Sequence, residues 1–106
     1  MSDALGPPPT FLAFIDRYPQ LHAAWDKMHE AEKQGPLEEQ TIRLIKLGIA
    51  IGAMKEGAVH ASVRKAVAAG VPREAIEQCV ALAASTIGLP SAVAIFSWIR
   101  EHLPQT

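Results

Sequence analysis

Glu56 and His60 stand four residues apart, and Arg64 follows at the same interval. In a helix this spacing places all three side chains on one face. Glu56 falls in the first turn of its segment, where the helix dipole favours an anion. A carboxylate beside an imidazole decides which ring nitrogen carries the proton, an arrangement suited to acid–base work near neutral pH. The same pair is able to contribute two ligands to a metal shared with another subunit. A Glu–His–Arg stripe is equally what a solvated helix face carries.

The remaining reactive side chains are less pointed. His22 and His29 flank Asp26 on one side of a helical segment, a spacing that fits a ligand pair over two turns and fits surface histidines as well. His102 lies near the C-terminus at a helix end, where partial positive charge is favoured. Cys79 sits among Val80 and Leu82 with no cation beside it in sequence, so it reads as a small buried hydrophobe. Trp25 and Trp98 read as core or interface anchors. Glu39, Arg43 and Lys46 form one polar stripe, for which a solvated, salt-bridged face is sufficient.

Gly and Pro divide the chain into helical segments and leave almost no room for strands. Residues 1–9 read as a flexible arm, followed by a single helical domain over 10–104. A short apolar helix carries Phe11, Leu12, Phe14 and Ile15 and ends near Tyr18. Pro19 opens a second helix that runs to about Lys33, with Leu21, Trp25, Met28 and Ala31 at helical spacing. A third runs from about Leu37 to Met54 and is apolar almost all round, as helices buried on more than one side are. A fourth, from about Lys55 to Ala69, carries Val59, Val63, Ala66 and Val67 and is closed by Gly70. A fifth starts at Pro72 and ends at Gly88. A sixth starts around Pro90 and carries Ile95, Trp98 and Ile99 before Pro104. The expected fold is all-α, with about six helices.

Composition narrows the function classes. With 10 Lys and Arg against 11 Asp and Glu, the chain lacks the basic surplus that nucleic acid requires. One cysteine excludes an internal disulfide, an internal dithiol couple and any multi-cysteine metal site. The first ten residues have neither a charged n-region nor an apolar h-region, and the longest nearly uncharged stretch is broken by Gly88 and Pro90. A soluble cytoplasmic protein without a membrane span is expected. The hydrophobic share is 49%, high for 106 residues with few aromatics, which points to aliphatic helices that pack against further copies of the chain.

From Gly35 onward the chain resembles the carboxymuconolactone decarboxylase family, which includes the alkylhydroperoxidase D-like proteins. The resemblance is carried by GPLEEQTIRLIKLGIAIGA, KAVAAG, VPREAIEQCVALAAST and GLPSAVAIFSW in this order and spacing. The preceding YPQLHAAWDKM resembles the family's usual first helix. The redox branch has Cys-x-x-Cys-x-x-x-His, with the His eight residues before the closing glycine. Anchored on Gly70, its cysteines fall at Lys55 and Ala58, its His at Ser62 and its relay carboxylate at Arg43. All four differ, and dithiol chemistry needs an attacking and a resolving thiol, so peroxidase or disulfide reductase activity of that type is not expected. The decarboxylase branch has a Glu one turn before the same His, at Ala58 and Ser62; Glu56 and His60 reach those positions only by a two-residue slide, which would need a bulge in the helix. EGAVHASVRKA also resembles a third branch with Glu and His at Glu56 and His60 and a second His near Ser62.

The resemblance implies an alkylhydroperoxidase D-like helical domain that assembles into a homotrimer or homohexamer. It also implies a lyase-like activity on, or binding of, a small lactone or carboxylate. Glu56 and His60 would be the catalytic pair, and Arg43, Lys46 or Arg64 the cation for the substrate carboxylate. Neither a cofactor nor a bound metal is expected, and the partners are a small molecule and further copies of the chain. The alternatives are an inactive oligomeric binding or scaffold member and residual peroxide chemistry through Cys79.

Overall fold

The computed structural model describes residues 7–104. Among them are six α-helices, a short 3-10 turn and no strand: α1 (Pro9–Arg17), α2 (Pro19–Glu32), α3 (Glu39–Gly52), α4 (Glu56–Ala68), α5 (Arg73–Ile87), α6 (Leu89–Ile99) and the turn Arg100–His102. The all-α expectation therefore holds, and no described helix is long and apolar enough to cross a membrane. Of the arm expected over residues 1–9, residues 1–6 lie outside the described residues; Pro8 caps α1 and Pro9 is its first residue.

The chain divides into two compact units, Met1–Leu37 and Glu38–Thr106. The first holds α1 and α2. Tyr18 ends one helix and starts the other: its N–H donates to the Phe14 carbonyl at 3.0 Å, and its own carbonyl accepts from Leu21 N at 2.9 Å. Pro19 occupies the first helical position, where its missing N–H costs nothing. The Phe11 ring meets the Trp25 ring edge-on at 5.7 Å and holds α1 to α2. Neither helix buries a residue completely.

In the second unit α3 touches α4 and α5, and α6 touches the same two helices, so the four close a ring around one core. Leu47 and Ile51 of α3, Val59 and Val63 of α4, Ile76 of α5 and Ile95 and Ile99 of α6 are its largest fully buried side chains. Their spacings of three and four are the helical stripes visible in the sequence. Each such burial is worth about 1.5–3 kcal/mol. The apolar third helix is covered on one side only: Ile45 and Ile49 stand exposed.

The ends of α3 and α4 share one device. α3 starts two residues later than its apolar run suggests, because the Glu38 carboxylate accepts from Gln40 N at 3.0 Å and so caps the helix. It ends at Gly52, with Met54 in the left-handed region at φ 55°. Lys55 N donates to Ala50 O at 3.3 Å and Met54 N to Ile51 O at 2.9 Å, the paired bonds of a Schellman motif. α4 closes in the same way, with Gly70 at φ 87°, Val71 N donating to Ala66 O at 3.0 Å and Gly70 N to Val67 O at 3.0 Å. Only the second motif has the glycine that the left-handed position favours. Gln40 Nε2 adds a bond to the Ala69 carbonyl at 3.1 Å, tying α3 to the end of α4.

Candidate functional site

His60 directly follows Val59, a core position, so its ring emerges on the flank of α4 rather than fully outside or inside. Its side chain is 24% exposed, against 57% for Glu56 one turn earlier. The two meet as the spacing requires, His60 Nε2 to Glu56 Oε2 at 3.2 Å.

A third side chain completes the arrangement. His102, on the turn after α6, brings Nε2 to 2.7 Å from His60 Nδ1, and the two rings stand edge-to-face with centroids 4.9 Å apart. Two buried anchors aim it. Ile99 and Leu103 are sunk in the core on either side of the turn, which leaves the residues between them on its rim. Arg73 fastens the chain just beyond, with Nη1 donating to the Pro104 carbonyl at 2.8 Å and Nε to Glu77 Oε2 at 3.0 Å. Glu101 Oε2 lies 3.6 Å from His102 Nε2.

Hydrogen positions follow from the partners. An ionised Glu56 only accepts, so His60 carries its hydrogen on Nε2 and presents a lone pair at Nδ1, which His102 Nε2–H fills. Burial lowers the His102 pKa, the neighbouring His60 and Arg64 lower it further, and Glu101 pulls the other way. These effects favour the neutral form of His102.

The other sequence candidates separate. Arg64 lies one turn past His60, close enough for its charge to be felt at His102. Arg43 Nε donates to Glu39 Oε2 at 3.0 Å, and both border a surface depression of about 300 Å³ with Lys65, Ala68 and Ala69. Lys65 and Ala68 lie roughly two and a half turns or more along α4 from Glu56, so Arg43 belongs to the opposite end of the helix. Lys46 is half-buried on α3. On α2, His22 Nε2 faces Asp26 Oδ2 at 3.5 Å, and His29 Nδ1 donates to the Trp25 carbonyl at 2.9 Å. Cys79 is half-buried on α5, its thiol donating to the Leu44 carbonyl at 3.7 Å, and burial pushes its pKa up.

A model of the carboxymuconolactone decarboxylase family matches residues 19–101. The chain belongs to the carboxymuconolactone decarboxylase family. No curated protein and no solved structure matches it significantly. Within the family frame, α4 is helical at every residue from Glu56 to Ala68, so it contains no bulge that would absorb two extra residues before Gly70. Of the positions where the redox branch has its two thiols and its His, Lys55 caps the start of this helix, Ala58 lies in its first turn and Ser62 at its middle, whereas the thiol of Cys79 is on α5. His102 stands one residue beyond the matched stretch. Its part in the site was missed in the sequence because a lone His has no pattern to mark it; the four-residue spacing of apolar Ile99 and Leu103 around it was the available signal.

Proposed function

We propose that this family member acts on, or binds, a small lactone or carboxylate through proton transfer at His60, without dithiol chemistry. What supports the reading is the unequal hold on the two ring nitrogens. The 2.7 Å contact to His102, whose side chain is 14% exposed, is short and sheltered. The 3.2 Å contact to Glu56 is longer, and its carboxylate faces solvent. A substrate group reaching Nε2 displaces the weaker partner and leaves the stronger one to hold the ring.

Once Glu56 is displaced, both imidazoles change tautomer through solvent, each then carrying its hydrogen on Nδ1. The freed His60 Nε2 lone pair takes a proton from the substrate and returns it to the product. The imidazolium formed between these steps donates Nδ1–H to His102 Nε2, which requires His102 to be neutral with a free lone pair there. Burial and the nearby positive charges favour that state. Glu56, moved aside but still adjacent, offsets the positive charge on His60. Arg64 supplies the cation for a substrate carboxylate, since Arg43 is engaged with Glu39. The working form is an oligomer, in which neighbouring copies cover Ile49 and Leu82, 66% and 68% exposed in the single chain.

The test offers carboxymuconolactone and a panel of small lactones and carboxylates to the wild type and to His60→Gln, with circular dichroism and elution volume confirming that the variant keeps its fold and assembly. Turnover or ligand-dependent thermal stabilisation that His60→Gln loses supports the reading. An equal response from the two proteins removes His60 from the mechanism.

A further inference from the structure

We propose that His60 Nδ1, His102 Nε2 and a Glu101 carboxylate oxygen form a binding site for a divalent transition-metal ion of the zinc class. The three ligand atoms lie within 4.8 Å of one another, and they come from α4 and from the turn after α6. Two imidazole nitrogens and one carboxylate are the ligand set of open zinc sites, in which a fourth position is left to water or an exogenous ligand.

The geometry needs little adjustment. Tetrahedral coordination at bond lengths of about 2.0–2.1 Å separates two nitrogen ligands by about 3.3 Å. The imidazole nitrogens stand 2.7 Å apart, so a small opening of the turn admits the ion. Glu101 is the exposed member, with its side chain 73% accessible, and Oε2 is 3.6 Å from His102 Nε2, so it is able to swing onto the ion without disturbing the core.

Glu56 gives the site its second layer. Metal-bound histidines usually donate their other ring N–H to a carboxylate, which fixes the tautomer and raises the basicity of the ligating nitrogen. His60 does this through Nε2 to Glu56 Oε2 at 3.2 Å, and the nitrogen so prepared is the one that faces His102. Two imidazoles select a borderline ion over magnesium or calcium, which prefer oxygen ligands throughout. Binding requires a lone pair on both nitrogens, so the hydrogen between them moves to His102 Nδ1 and both imidazoles stay neutral, with the His60 hydrogen held on Nε2. An ion bound here and proton transfer at His60 are therefore alternatives, and zinc would silence the acid–base chemistry. Binding itself is read without reference to that chemistry.

The experiment uses the full chain with any affinity tag removed and stripped of metal by a chelator. Zn²⁺ is titrated in competition with a chromophoric chelator, and Co²⁺ is added separately to read its ligand-field absorption. The wild type is expected to take up one ion per chain and to show the intense bands of low-coordinate Co²⁺. His60→Gln and His102→Gln should each lose uptake, and Glu56→Gln should weaken it about ten- to a hundredfold. A double variant of His22 and His29, both to Asn, should bind as the wild type does. Circular dichroism identifies any variant that fails to fold, in which case His102→Asn takes the place of His102→Gln and His60→Asn that of His60→Gln. Absence of Zn²⁺ uptake by the wild type, uptake that survives loss of His102, or uptake that follows His22 and His29 overturns the proposal.

Discussion

His60 and His102 are 42 residues apart in the chain and 2.7 Å apart in the fold, joined nitrogen to nitrogen. The contact makes the C-terminal turn part of the site on α4. Removing it by His102→Ala should cost about 1 kcal/mol of stability, the net worth of one hydrogen bond. Ligand-dependent stabilisation or turnover at His60 should fall far more than that small loss explains. Arg73→Ala, which frees the Pro104 carbonyl, should weaken the same response in part. Equilibrium unfolding beside a ligand titration separates the two effects, and a response unchanged in His102→Ala would detach the turn from the site.

General acid–base catalysis by one positioned side chain contributes about a hundred- to ten-thousandfold. A substrate turned over by this protein should therefore lose at least about a hundredfold in kcat/KM in His60→Gln. Arg64→Gln should raise KM more than it lowers kcat, as expected of a group that binds the substrate carboxylate in ground and transition states alike. Steady-state kinetics on the two variants distinguishes these roles.

Cys79 should be a slow thiol. Burial raises its pKa above the ordinary 9.0, so the native protein holds this proton at a pH where the unfolded chain has released it. The unfolded state then binds fewer protons than the native one, and stability falls as pH rises through and above the ordinary thiol value. Thiol labelling of the native protein should lag far behind that of the unfolded chain, and Cys79→Ala should lack this contribution to alkaline destabilisation. Rapid native labelling would revive peroxide chemistry at this residue.

The two Schellman motifs provide a matched pair of substitutions. Met54 adopts φ 55° without being glycine, so Met54→Gly should stabilise the protein by about 1 kcal/mol. Gly70 adopts φ 87°, and a methyl there would also meet Gln40 Nε2 at 3.2 Å. Gly70→Ala should destabilise by about 1–2 kcal/mol. Denaturant midpoints moving in opposite directions would bear this out; a loss of stability in both would show that the Met54 side chain contributes more by packing than its backbone costs.

Ile49 and Leu82 should be covered by neighbouring copies. Light scattering on the wild type should give a mass that is a multiple of the 11.4 kDa chain, and Ile49→Lys should shift it toward the single chain while circular dichroism is retained. A monomeric wild type would leave those side chains to another partner.

Much of the second unit was legible because its signals are local. Gly70 stops α4 through a backbone angle that other residues adopt at a cost, and Val59 and Val63 mark the buried face through a spacing fixed by the helix itself. Pro19, which lacks a donor, marked the start of the second helix, whereas Pro9, expected at the end of an arm, is the first residue of α1. The end of α3 was read two residues too far. An apolar run does not reveal that Met54 has turned into the left-handed region, because methionine has no special preference for that turn.

The candidate site divides along the same line. Glu56 and His60 were determined by the sequence alone, since residues four apart on a helix are neighbours whatever surrounds them. His102 was decided by tertiary structure. Its approach to His60 depends on the direction in which the chain leaves α6, and that direction is set by the burial of Ile99 and Leu103 and by the hold of Arg73 on Pro104. Arg43, on a polar stripe with Glu39 in the sequence, was directed by packing to the far end of α4, beside Lys65. Helix periodicity reaches only a few residues along the chain; contacts across many tens of residues are chosen by which apolar faces can be buried together.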